Sequence, residues 1–293
     1  MKKGYILVFL AASMWGTLGI FAKLLYGFGL DPFTVTFYRA SIAFALLFVY
    51  NLSKGFQIKK RRLPFYAFYG FFAVFLFYIL YFYTVRISSV SLAVLLLYSA
   101  PVYSTILGYF IFNERITSIK LTALVVAIIG VLLVVNPNGE NVSRIAIVLG
   151  LLSGLTYALY GILAKFAIKN EKPEEALLYT IGFGALFLAP FSNFKIPAPA
   201  IPYLFGLAFF PTFLAYILYN TALKEIEVSR ASIIATVEPV VALILAYFLF
   251  HESLTTKQMI GATLIILGSL MLHAEERRMK KIRDKSSAQV PIP

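Results

Sequence analysis

The 293-residue sequence contains no cysteine, which excludes disulfides and thiolate chemistry. Its two histidines, His251 and His273, do not have the spacing of a metal site, so neither a metal nor another cofactor is expected. No GxxxxGK, HExxH or GxSxG motif is present, and no apolar run holds a pair of carboxylates. ATP hydrolysis is therefore not indicated, and a membrane-embedded enzyme or receptor stays an alternative without a supporting motif.

Charge is also scarce, because Asp, Glu, Lys and Arg make up only 13% of the chain, against about 25% in soluble domains. Hydrophobic residues make up 60%, and the mean hydropathy is +0.85. A lipid bilayer accommodates so much apolar surface, whereas a soluble fold of this size does not. The net charge of +13 lies in short segments between apolar runs, so it is read as a topology signal and not as a nucleic-acid site.

Apolar runs of about 20 residues, the length that crosses a bilayer, occur ten times in the chain. They predict helices at about 4–25, 33–52, 64–85, 89–111, 118–136, 143–166, 174–191, 201–222, 229–250 and 257–273. With the N-terminus inside, nineteen of the 26 lysines and arginines fall on the inner side and five on the outer side. The positive-inside rule therefore predicts a multi-pass protein of the cell (inner or plasma) membrane with both termini in the cytoplasm.

The sequence also repeats itself. PVYSTILGYFIFNE, residues 101–114, and PVVALILAYFLFHE, residues 239–252, agree at eight of fourteen positions across a spacing of 138 residues. The predicted limits are a first repeat at 4–137, a second at 143–273 and a basic cytoplasmic tail at 274–293. Five helices in each repeat, an odd number, place the second repeat upside down relative to the first, as in transporters that work by alternating access.

A resemblance to a known family rests on residues spread over both halves. They are Trp15-Gly16, Arg39, Pro101 with Glu114, Gly130, Glu238-Pro239 with Glu252, and Gly268. This pattern resembles the drug/metabolite transporter superfamily, in particular its EamA-type members with ten helices in two repeats. The resemblance covers residues 4 to about 273. It implies an all-α membrane transporter whose cargo is an amino acid, an amino acid derivative or a toxic aromatic cation.

Two charged residues inside the predicted spans differ between the repeats. Glu238 lies near mid-membrane, where an ionised carboxylate is costly, and Pro239 next to it removes a helix hydrogen bond. Its counterpart is Ala100, and that of Arg39 is Thr180. We interpret Glu238 as a ligand for a substrate amine or as a proton carrier, and Arg39 as a partner for a substrate carboxylate or for Glu238. A carboxyl that only joins two helices is the alternative for Glu238.

Aromatic residues form a second candidate set. Tyr78 and Tyr81 share one helical face, as do their counterparts Tyr216 and Tyr219, because residues three apart are neighbours on a helix. Trp15 and Tyr157 occupy equivalent places in their repeats, and Tyr98 lies two residues before Ala100. Facing inward, these residues would enclose a ring or a cation, whereas an interfacial belt is the alternative.

Shared residues are interpreted as structural. Glu114 and Glu252 are expected to cap the first N–H groups of the helix that follows each. Lys23 and Lys165 are expected to reach the interface from near helix ends. The GxxxG pair Gly150 and Gly154 fits helix packing within one chain or in a homodimer.

These observations predict a ten-helix, alternating-access secondary transporter, an exporter of a small amphipathic metabolite such as an amino acid or derivative. An organic-cation or multidrug exporter with an aromatic cage is the alternative. The expected partners are a small-molecule substrate and the lipid bilayer.

Overall fold

The structure is a computed structural model that describes residues 2–55, 60–136, 143–251 and 253–288. Within these ranges the chain forms helices and turns but no strand, and ten helices have the length and composition to cross a membrane. We number them in chain order as α1 (Lys3–Gly27), α2 (Pro32–Leu52), α3 (Leu63–Ile87), α4 (Val90–Phe112), α5 (Ser118–Val135), α6 (Arg144–Ala167), α7 (Pro173–Phe191), α8 (Ala198–Ala222), α9 (Val228–Phe250) and α10 (Thr256–Met279).

These helices begin and end within about three residues of the predicted bounds, except at the C-terminus. The last helix was expected to end at 273, and this expectation was wrong, because the helix continues without a break to Ala288. The continuation is rich in Glu, Lys, Arg, Met and Ala, which favour helix, and it contains neither Gly nor Pro. An existing helix therefore extends past the apolar stretch at low cost. Residues 289–293 of the predicted tail lie outside the described residues.

The two repeats are inverted and interleaved. α1 of the first repeat packs on α8 and α9 of the second, and α6 of the second packs on α3 and α4 of the first. The equivalent helices α2 and α7 also pack on each other, as do α5 and α10. The residues between 137 and 142, where the predicted boundary falls, lie outside the described residues.

Glycines allow the closest of these contacts. A Cβ on Gly130 of α5 would lie 2.7 Å from the carbonyl oxygen of Gly261 in α10, so a larger residue would separate the two helices. Gly150 and Gly154 of α6 pack against Leu96 and Ser99 of α4, which places this GxxxG pair in a contact within the chain.

Several helices around the centre are interrupted. α1, α4 and α9 are each interrupted at a hydroxyl residue. Thr17, Ser99 and Thr236 each donate a side-chain hydrogen bond to the carbonyl three residues before, at 2.6–2.7 Å. α3 and α8 each contain a π-helical segment, Phe71–Leu76 and Phe209–Leu214, at equivalent repeat positions. Interrupted helices leave backbone polar groups in the membrane only where protein or a cavity surrounds them. These interruptions therefore mark the centre of the bundle.

Candidate substrate site

The interrupted helices surround a cavity of about 330 Å³ between the repeats. Because ten spans bring both ends of the bundle to one side, we call that side the terminal face and the other the opposite face. The cavity reaches from the bundle centre toward the opposite face, where Tyr26, Phe82 and Val90 line it close to helix ends. Eight of the nine predicted site residues line it, namely Trp15, Arg39, Tyr78, Tyr81, Tyr98, Tyr157, Tyr216 and Glu238.

Glu238 lies at the interruption of α9, as the first residue of the helical segment Glu238–Phe250. Proline at the next position suits a first helical turn, and the positive end of the helix dipole there stabilises a carboxylate. Gly16 permits the contact with α1, since a Cβ on it would lie 2.9 Å from the Glu238 carbonyl oxygen. The carboxyl lines the cavity, faces Tyr98 and interacts electrostatically with Arg39.

Arg39 reaches the same cavity from α2 and is 8% exposed. Its Nε donates a hydrogen bond of 2.8 Å to Thr212 Oγ1 on α8, and its Cζ lies 5.6 Å from the centre of the Tyr78 ring. The cavity wall thus carries one acidic and one basic side chain.

Aromatic rings form much of the remaining wall. The Trp15 ring centre lies 5.2 Å from those of Tyr216 and Tyr219, and Tyr160 lies 4.9 Å from Tyr216. Trp15 is 3% exposed, and its Nε1 has no hydrogen-bond partner among the described residues. A buried N–H donor beside an aromatic wall fits a ligand that offers both an apolar body and an acceptor group.

Tyr219 is the predicted site residue that does not line the main cavity. It lies behind Trp15 and lines a small chamber of about 10 Å³ together with Ser104, Tyr157 and Tyr160. It follows Tyr216 on the same helix face, but one turn nearer the terminal face.

Sequence reasoning missed several lining residues, namely Tyr26, Thr36, Phe77 and Phe82 in the cavity and Thr212 beside Arg39. Phenylalanines and tyrosines are too numerous in this chain for any one of them to be singled out. Thr212 did carry a signal, because its repeat counterpart is Val74. That is the same kind of difference that singles out Glu238 and Arg39.

A polar cluster occupies the terminal face. Glu114, at the end of α4, accepts hydrogen bonds from the backbone N–H groups of Val228 and Ser229 at 2.7 and 3.1 Å and from the Ser229 hydroxyl. The expectation that it caps the following helix was wrong, because Thr117 caps that helix through Lys120 N. Asn113 adopts a left-handed conformation (φ 54°) that ends α4 and directs the chain back. Glu114 therefore reaches α9 of the other repeat. Glu252 lies outside the described residues.

Two lysines complete this terminal-face cluster. Lys165 was expected to extend to the interface, but its Nζ lies 3.6 Å from Glu114 and donates to the Ile226 carbonyl at 2.7 Å. Lys120 is fully buried, and its Nζ lies 2.9 Å from Ser229 Oγ and 2.7 Å from Glu227. Buried ammonium groups require such partners, and the two interleaved repeats supply them.

Glu227 and Arg230 extend the terminal-face cluster to α10. Arg230 lies 2.8 Å from both Glu227 and Glu275 and donates to the Tyr5 hydroxyl at 3.2 Å. Burial disfavours the charged form of Glu227, which precedes α9, but Lys120 and Arg230 outweigh it and lower the pKa of this carboxyl. We define the terminal-face cluster as Glu114, Lys120, Lys165, Glu227, Ser229, Arg230 and Glu275.

A bundle of two inverted five-helix repeats with a central cavity defines a membrane transporter. The model of the EamA-like transporter family matches residues 2–136 and again residues 144–273. The chain belongs to the EamA-like transporter family.

Relatives agree with this assignment. An uncharacterized transporter of Archaeoglobus fulgidus is 31% identical over 275 residues, which cover 94% of this chain and 98% of that protein. A probable amino-acid metabolite efflux pump of Salmonella typhimurium is 30% identical over 195 residues, covering 60% of this chain and 65% of the pump. A crystal structure only 15% identical in sequence superposes with a TM-score of 0.83 over 95% of this chain and 99% of that one, which shows a common fold.

Proposed function

We propose that this protein is an alternating-access secondary transporter that exports a small amphipathic metabolite of the amino acid type. One observation carries the proposal: an acidic residue, Glu238, and a basic residue, Arg39, face one cavity that is otherwise lined mainly by aromatic and aliphatic side chains. Such a site suits a cargo with an ammonium group, a carboxylate and an apolar body. The partial match to a probable amino-acid metabolite efflux pump supports the same cargo class.

The excess of Lys and Arg on the terminal face supports a cytoplasmic position for both termini in the cell membrane. In that orientation the cavity reaches toward the outside, and the terminal-face cluster closes the cytoplasmic side. A cargo bound in the cavity can leave to the outside in this arrangement, which is the release step of export. The opposite arrangement, open to the cytoplasm, requires the terminal-face cluster to separate.

An organic-cation exporter is the second candidate, and the convergence of Trp15, Tyr216 and Glu238 on one cavity favours it. Aromatic faces next to a carboxylate attract a quaternary ammonium group. Arg39 opposes this candidate, since its positive charge faces the same cavity and repels a cargo that carries only positive charge.

A thermal-shift screen of the purified protein separates these candidates. We expect L-phenylalanine, chosen as an aromatic zwitterion, to raise the melting temperature, because a ligand that binds only the folded state stabilises it. Tetraphenylphosphonium and inorganic phosphate serve as the cation and anion probes. Stabilisation by tetraphenylphosphonium without any by amino acids would replace the first candidate with the second.

Proton exchange through Glu238 accounts for export against a gradient without ATP. In proteoliposomes, Glu238→Gln is expected to abolish uptake driven by a pH gradient. Counterflow exchange should persist at saturating cargo, since the glutamine keeps the shape of the site and an oxygen that accepts from the ammonium group, but carries no exchangeable acid proton. Uptake by Glu238→Gln that keeps the wild-type pH dependence would rule out the proton role and leave facilitated diffusion.

A further inference from the structure

Thr212 lies beside Arg39 and accepts a hydrogen bond from it. Thr212 is 3% exposed and belongs to the π-helical segment of α8. Its hydroxyl donates a hydrogen bond of 2.9 Å to the Leu207 carbonyl and accepts one of 2.8 Å from Arg39 Nε. A hydroxyl has a single hydrogen. Because that hydrogen is directed to Leu207, the oxygen lone pairs are left for Arg39.

The reason that Leu207 accepts from a side chain is visible in the sequence. In a regular α-helix its carbonyl would bond to the N–H of the residue four positions later, which is Pro211 and has none. The wider π-helical turn and the Thr212 hydroxyl compensate for this loss. The Leu207 carbonyl thereby takes the hydroxyl hydrogen, and the oxygen of Thr212 accepts from Arg39.

The first repeat has the same backbone without this chemistry. Its π-helical segment, Phe71–Leu76, carries Ala73 and Val74 where the second repeat has Pro211 and Thr212. Thr180 stands at the place of Arg39. The pair of Arg39 and Thr212 is therefore an addition to a shared backbone, and it is confined to one side of the cavity.

The hydrogen bond to Thr212 restricts the rotation of the Arg39 guanidinium. A guanidinium is planar and carries five N–H groups, of which Nε supplies one. When Thr212 holds Nε, the plane is fixed and the four N–H groups of the terminal nitrogens remain for Tyr216 and for the cavity. Two parallel hydrogen bonds to a carboxylate require such a fixed plane.

We propose that Thr212 is a positioning residue that orients Arg39 toward the carboxylate of the cargo and so sets the preference for carboxylates over neutral analogues. This inference rests on the proposed function, because it assumes that Arg39 meets the cargo. Thr212 itself acts through Arg39.

The test compares L-phenylalanine with L-phenylalaninamide, which lacks the carboxylate, by calorimetric titration of the purified full-length protein. We expect the wild type to prefer the acid, and Thr212→Val, which keeps the side-chain shape, to reduce that preference about tenfold. Affinity for the amide should stay within about twofold. Thr212→Ser, which restores the hydroxyl, should recover the preference.

Thr180→Val is the matched control, because it removes another buried threonine hydroxyl, whose bond among the described residues is to the Ala176 carbonyl of its own helix. Arg39→Gln supplies the reference for complete loss. If Arg39→Gln loses the preference and Thr212→Val keeps it, the role of Thr212 is refuted and the proposed function stands. If the wild type has no preference for the acid, the role of Arg39 fails and the inference fails with it.

A second measurement does not depend on the cargo. In protein labelled with ¹⁵N-arginine, the Hε signal of Arg39, assigned by its absence in Arg39→Gln, should exchange slowly with solvent in the wild type and in Thr212→Ser. In Thr212→Val it should exchange about tenfold faster, since the hydrogen bond that protects it is gone. Equal exchange rates in the wild type and Thr212→Val would overturn the inference whatever the cargo is.

Discussion

The terminal face and the opposite face are built from equivalent residues of the two repeats, but their polar contacts differ. On the terminal face Lys120 is buried and bonds to Ser229 and Glu227. Its counterpart on the opposite face, Gln258, bonds among the described residues to Thr255 of its own helix cap.

The same contrast holds for the other members of the terminal-face cluster. Ser89 stands where the second repeat has Glu227, and Leu92 stands where it has Arg230. Ser89 caps α4 through Leu92 N and forms no ion pair among the described residues. Shared residues therefore form the helix ends on both faces. Among the described residues, those that differ add the ion pairs of Lys120, Glu227 and Arg230 to the terminal face, and the cavity extends away from that face.

The largest effect on stability is expected from the substitution of Glu114. Glu114→Gln removes the charge facing Lys165 and brings an amide NH₂ toward backbone N–H groups that need acceptors. We expect the free energy of unfolding to fall by about 3 kcal/mol, because a buried polar network loses its central acceptor. Unfolding in mixed micelles with increasing dodecyl sulfate measures this change.

The matched variant is Glu174→Gln on the same face. It alters the ion pair with Lys54, which is 44% exposed, and is expected to cost far less than Glu114→Gln, because water screens an exposed pair. Equal effects of the two variants would show that the terminal-face cluster is not a special source of stability.

A smaller effect is expected on the balance between the two transporter states. Lys120→Met should favour the arrangement open at the terminal face by about 1.4 kcal/mol, while Gln258→Met should not, since no ion pair depends on it. The change can be measured by cysteine labelling, which is specific because the native chain contains no cysteine. A cysteine placed at Ser104, in the small chamber, should react about tenfold faster with a membrane-impermeant maleimide applied to the terminal face of Lys120→Met. The same acceleration in Gln258→Met would remove the difference between the faces.

The smallest effect concerns pH. Because the pKa of Glu227 is lowered in the folded protein, its contribution is complete above the unfolded-state pKa of about 4.3 and is lost as the pH falls through the folded pKa. The wild type should therefore lose about 1 kcal/mol more than Glu227→Gln when unfolding is compared between pH 7 and about pH 3. Identical pH profiles would mean that Glu227 gains nothing from Lys120 and Arg230.

Much of the site followed from the repeat. Aligning the halves singled out Glu238 and Arg39, and the structure brings both to one cavity with Trp15 and five of the six predicted tyrosines. Their role in binding cargo stays a prediction. Thr212 differs from its counterpart Val74 and so carried the same kind of signal, but a threonine inside an apolar run is common, and its contact with Arg39 is visible only in the structure.

The partners of the charged residues were the least predictable part. Glu114 and Ser229 are 115 residues apart in sequence, and Lys120 and Ser229 are 109 apart. A local pattern cannot indicate such contacts. It pointed instead to the nearest helix end for Glu114 and to the interface for Lys165, and both expectations were wrong.

The sequence by itself determined that this is a membrane protein of ten helices in two inverted repeats, because hydrophobic length and internal repetition are properties of the chain alone. Only the tertiary structure decided which face the cavity reaches, which lysines are buried and which helix Glu114 caps. Those outcomes depend on how the two repeats pack against each other, and the cost of burying a charge is met by partners that come from the other repeat.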